Sequence, residues 1–137
     1  MTIEREQVVG LLLEACPSFE PVWRDEAEEQ GADEGGRLHY SDAAAFSRHV
    51  VSLLAAGRTA ELPATFAAIE RLHVEGDDRV RELATIGYLE DLQNALLRAG
   101  LPMDLAVGWL GPESLRWWRG VQDFWSGRPP PPVRPVD

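Results

Sequence analysis

Proton transfer, nucleophilic attack and metal binding would fall in this chain to three histidines, one cysteine and 23 carboxylates, and their spacing favours none of the three. His39, His49 and His73 contain no pair four residues apart, the spacing that sets two imidazoles around zinc on one helix face, and Cys16 supplies no second ligand. His73 is the strongest candidate base. It falls on the apolar face of a helical stretch beside Phe66 and Ile69, with Glu70 close by, although a core histidine satisfied by its neighbours would occupy the same position. His49 lies at the margin of its own helical face, two turns from Asp42. Cys16 directly precedes Pro17 at a helix end, where the carbonyl end of the dipole opposes a thiolate, so a buried thiol is expected. The segment "GADEGG" sets its glycines among carboxylates that would repel a phosphate, and no nucleophile elbow or dinucleotide fingerprint occurs. No catalytic residue, metal site or cofactor is expected, and the chain is not read as an enzyme.

The carboxylates suit recognition better. Between Glu20 and Glu34 stand Glu20, Asp25, Glu26, Glu28, Glu29, Asp33 and Glu34 against the single cation Arg24. A solvated face produces such a run by default; the alternative is a negative surface that steers a basic protein partner. A second polar group, Glu90, Asp91 and Asn94, comes where a helix should continue its apolar stripe. On a wheel of about 100° per residue, Val80, Leu83, Ala84 and Gly87 fall together, whereas Leu89, Leu92, Ala95, Leu96 and Ala99 fall roughly opposite. Either the helix packs on two sides at different heights or it bends at Gly87. Both alternatives put Glu90, Asp91 and Asn94 at an edge of the core, bonded to a neighbouring helix end, facing solvent or facing a partner.

The elements that would carry these groups are helical. Thr2 is expected to cap a helix reaching Cys16, and Ser18 to cap "FEPVWRDEAEEQ". Ser41 is expected to cap a third helix ended by Gly57. A fourth opens at Thr59 with Pro63 in its first turn and ends at Gly76; a fifth starts at Asp77 or Asp78 and reaches Arg98 before Gly100 and Pro102. A last helix begins at Pro112, and its Leu115, Trp117, Trp118, Val121, Phe124 and Trp125 recur at the spacing of a packed face rather than an aromatic ligand box. No segment alternates apolar and polar residues between turn signals, so the chain is read as all-α. One helical domain of about six helices is expected over residues 1–126, followed by a proline-rich tail over 127–137, "GRPPPPVRPVD", of polyproline II character.

The balance of charge narrows the partners. At a net charge of −10 the protein is repelled by nucleic acid and by anionic membrane surfaces, and its longest apolar stretch, "VVGLLLEAC", is far short of a bilayer span. The acidic start "MTIEREQVV" lacks the features of a secretory signal, which places the protein in the cytoplasm. All 13 basic residues are arginine, a bias of GC-rich genomes that suggests a bacterial source.

The stretch "FAAIERLHVEGDDRVRELATIGYLEDLQNALL", residues 66–97, resembles a bacterial domain family of unassigned function found among the immunity proteins of polymorphic toxin systems. Within it, "DDRVRELATIGYL" is similar to the start of the second helix of a HEAT unit, which implies HEAT- or armadillo-like α-α packing. The resemblance implies a protein that neutralises a cognate toxin with a basic surface by covering it, without catalysis. Asp25, Glu26, Glu28, Glu29, Asp33, Glu34, Glu90, Asp91 and Asn94 are the residues expected at that interface. The alternative is a HEAT-like adaptor whose partner is unrelated to toxins. Oligomeric state is not fixed by the sequence.

Overall fold

The computed structural model describes residues 2–30 and 37–125, without the side chains of residues 27–30, 37–38 and 125. The described residues are helical and contain no strand, in agreement with the all-α expectation. The elements are α1 (Arg5–Ala15), a 3₁₀ turn (Pro17–Phe19), α2 (Glu20–Gln30), α3 (Arg37–Ala56), α4 (Leu62–Glu75), α5 (Asp78–Glu82), a π-helical segment (Leu83–Leu89), α6 (Glu90–Arg98), α7 (Asp104–Val107) and α8 (Pro112–Trp125). The proline-rich tail lies outside the described residues.

Helix ends follow local chemistry more closely than helix starts. Cys16 closes α1 before Pro17, and Gly57 and Gly100, each at φ 70°, take the left-handed conformation that turns the chain after α3 and after α6. At the starts, three expectations are corrected. Thr2 does not cap α1: Glu4 does, its amide donating to Gln7 Oε1 at 2.8 Å. Ser18 lies inside the 3₁₀ turn, and its hydroxyl bonds side chains from other elements instead of capping α2. Ser41 lies within α3, which begins at Arg37. Asp77 performs as expected, its carboxylate accepting the Val80 amide at 2.9 Å.

The change of face near Gly87 has a specific structural basis. Residues 83–89 adopt the wider π turn, in which the backbone bonds one residue further along. Each such turn takes up an extra residue and sets the helix phase back by about 100°. Leu83, Ala84, Gly87, Tyr88 and Leu89 are all buried there, because the segment contacts α3 as well as α4 and α8. Packing on more than one side, one of the two expected alternatives, is therefore observed here. Gly87 permits the approach of α3, since a Cβ at this position would stand 3.0 Å from Leu83 Cδ1 and 3.3 Å from Ala43 Cβ.

One core joins these elements, built on Leu12, Phe19, Phe46, Phe66, Tyr88 and Trp118. Phe46 meets the edges of both Phe19 and Tyr88, at centroid separations of 4.9 and 5.7 Å, and so fastens the 3₁₀ turn and the π segment to α3. The expected apolar stripe of α8 is narrower than its sequence suggests: Trp118 is fully buried, Leu115, Trp117 and Val121 are half-buried, and Phe124 is 62% exposed. A short extended segment completes the fold. The Ile3 amide donates to the Glu75 carbonyl and the Asp77 amide to the Ile3 carbonyl, both at 2.9 Å, tying the start of the chain to the α4–α5 turn.

Candidate functional site

Helix α3 packs between α2 and α6, and this arrangement brings carboxylates from two distant parts of the sequence to its flanks. Arg48, exposed on α3, lies 3.4 Å from Glu26 of α2, and its positive charge also acts on Asp91 of α6. Asp91 is half-buried. Burial and the neighbouring Glu90 push its carboxyl group up from 3.8 to about 6, against the opposing pull of Arg48 and Arg98. Beneath it Tyr88 is buried, and its phenol is pushed far up by desolvation and by the charges of Asp42 and Asp91. The folded protein therefore holds a carboxylate over an apolar base with less positive charge around it than it needs.

Two further polar clusters carry the residue types of acid–base chemistry. In the first, the buried His73 ring places Nδ1 at 3.1 Å from the Ile69 carbonyl and 3.2 Å from Ser114 Oγ, and Nε2 at 3.2 Å from Thr85 Oγ1. Burial holds His73 below the ordinary histidine range despite the nearby charges of Glu70 and Glu113, so the ring is neutral at neutral pH. Ser114 and His73 have the types of a nucleophile and a base, but Ser114 is fully buried. Glu70 does not orient the imidazole. Its carboxylate accepts the amides of Glu113 at 3.0 Å and Ser114 at 2.9 Å, which makes it the cap of α8 supplied from α4. Burial raises the Glu70 carboxyl, and the hydrogen bonds from Ser114 and Glu113 outweigh this and leave it lowered.

The second cluster joins the 3₁₀ turn, α3 and the start of α4. Ser18 donates its hydroxyl to Glu61 Oε1 at 2.8 Å and its amide to the same oxygen at 3.2 Å, and Ser18 Oγ lies 2.7 Å from His49 Nε2. A hydroxyl has one proton, and here it goes to Glu61. Nε2 of His49 must then carry the proton of the third bond, so it is not the base for this serine. His49 and Asp42 both lie on α3, and the contact that His49 makes across the fold is this one with Ser18. Cys16 is fully buried with its sulfur 3.8 Å from Ser18 Oγ, and desolvation and then Glu61 raise its thiol, which leaves it unreactive.

The expected interface residues fall into two sets. Asp25 is exposed on α2, Glu26 is half-buried against Arg48, and Glu90, Asp91 and Asn94 are half-buried on α6. Asp33 and Glu34 lie outside the described residues, as do the side chains of Glu28 and Glu29. Glu20, at the head of the acidic run, is paired with Arg24 at 2.7 Å. Arg48 was not singled out by its local sequence, because its two acidic neighbours lie on other elements. Among the described residues, no three of histidine, cysteine, aspartate and glutamate converge as a metal site, and no helix is long and apolar enough to cross a membrane. A shallow groove between α1 and α4, lined by Leu11, Ala15, Ala64 and Ala68 with Glu14 and Arg71 at its rim, offers no nucleophile, and Glu14 is its one carboxylate.

Residues 9–126 match a family model described as a domain of unknown function, DUF7674. No curated protein and no solved structure matches the chain.

Proposed function

The chain belongs to the DUF7674 family, and we propose that it acts by binding, as a cytoplasmic immunity-like protein that covers a basic surface of a cognate bacterial toxin without catalysing a reaction. The observation that carries this proposal is Asp91. A half-buried carboxyl group pushed to about 6 by burial and by Glu90 is destabilised in the free protein, and a partner's arginine or lysine would relieve it. Glu26 and Asp25 extend the same negative edge across α3 onto α2, and the net charge of −10 favours a cationic partner over nucleic acid. The burial of Ser114 and the proton on His49 Nε2 count against the two clusters as catalytic centres.

The test is co-expression with the C-terminal domain of any secreted toxin found encoded beside this gene, scored by cell survival and by co-purification. Rescue together with a stable complex is the expected result. Survival that depends on no complex, or neither survival nor complex, overturns the proposal. An Asp91→Asn variant supplies the acidic-edge control, since it removes the charge while keeping the shape, and rescue should weaken.

A further inference from the structure

The acidic edge of α6 is framed by apolar side chains that the fold leaves open. Ile86 is 51% exposed and Leu97 is 69% exposed, although both are large aliphatic residues within otherwise well-buried helical segments. Ile86, Glu90, Asn94 and Leu97 follow one another at spacings of four, four and three residues, which places them along one face from the π segment to the end of α6. Over that length the helix rises roughly 16 Å, about three turns. Tyr40 of α3, 39% exposed, lies beside Gly87 at the Ile86 end, 3.5 Å from where a Cβ would stand. At its centre the face carries Glu90 and leans through Asp91 toward Arg48 and Glu26.

We infer that this face of α6, from Ile86 to Leu97, is the docking surface, and that its occupant is a basic amphipathic helix of the protein partner, with arginine or lysine between two large apolar residues. The inference rests on the binding function proposed above and names the surface and the partner chemistry for it. The pattern fits such a helix on two counts. Exposed apolar residues at both ends supply the water-excluding anchors of an interface, while a central charge sets register and sign. The carboxylates Glu26, Glu90 and Asp91 outnumber Arg48 and Arg98 around the face and so oppose an anionic membrane, and at a net charge of −10 two copies of this chain repel one another.

The experiment uses the full chain, labelled with ¹⁵N, titrated with the purified toxin domain and separately with a synthetic helical peptide. The peptide carries two leucines at the ends and two arginines between them, at the spacing of the face. Shifts confined to residues 86–97 and their α3 neighbours are expected in both titrations. The Ile86→Ser/Leu97→Ser double variant should weaken the complex by about tenfold or more, and Glu90→Lys should do the same. Val74→Ser, which removes an equally exposed apolar side chain from α4, should leave binding unchanged. Toxin binding that shifts other residues overturns this surface and leaves the immunity function standing. No toxin binding, with peptide binding lost in the double variant, overturns immunity and keeps the surface. Failure of both ligands overturns both, and peptide binding that survives the double variant removes the apolar anchors.

Discussion

At Asp91 the fold disfavours the charged form of a carboxyl group that water would favour, and this has a measurable sign. Its folded pKa, about 6, lies above the unfolded value, so the stability it contributes is present below the unfolded pKa and is lost as pH rises through about 6. Asp91→Asn is therefore expected to stabilise the free protein at pH 7.5 by about 1 kcal/mol, after discounting for the solvent around the half-exposed side chain, and to change nothing near pH 3.5. Urea denaturation at the two pH values checks this. Glu70 has the opposite sign: its lowered carboxyl contributes stability above the unfolded pKa that is lost as pH falls through the folded one. Glu70→Ala should cost about 1 kcal/mol at neutral pH through loss of the α8 cap, Glu70→Gln less, and both differences should shrink in acid. The sequence displayed Glu90, Asp91 and Asn94 as a candidate row because they interrupt a helical stripe, which is a local pattern. It did not display Arg48 beside Glu26, nor Glu70 beneath Glu113 and Ser114, because those pairings exist only once α2, α3, α4 and α8 are packed.

At the scale of elements, the close approaches are made where a side chain is missing. Gly76 turns the chain from α4 into α5 at an ordinary φ of −74°, so its requirement is space: a Cβ there would collide with the Leu72 carbonyl and with Val80. Gly76→Ala is expected to destabilise by about 3 kcal/mol in chemical denaturation, since a backbone carbonyl cannot step aside. Gly87→Ala should cost less, because the nearest atom is the end of the Leu83 side chain and alanine favours the helix. The helices and their ends were legible from proline, glycine and aspartate, whose effects act within a turn of the residue. Thr2 and Ser41 misled because a hydroxyl at a plausible position competes with Glu4 in one case and with a longer helix in the other. The four-residue α7 carried no periodic signal, and the π turn showed only as the stripe's change of face. One extra residue taken up between α5 and α6 is what turns Glu90 and Asn94 toward the outside.

For the whole molecule, charge acts before contact. With a net charge of −10, encounter with a cationic partner should be steered, so raising salt from about 0.05 M to about 0.5 M is expected to slow association by about tenfold while dissociation changes little. Stopped-flow measurement of both rates separates this steering from the apolar anchoring of Ile86 and Leu97, which salt should spare. The strap at the start of the chain bears on a different moment in the protein's life. Ile3 is made well before its backbone partners Glu75 and Asp77, which follow it by more than seventy residues. While the chain is being synthesised from its amino end, α1 can leave the ribosome and turn helical but has nothing to fasten its leading segment to. The knot is tied late, when the α4–α5 turn emerges, so a nascent chain stalled before residue 75 would carry Ile3 as an exposed hydrophobic group.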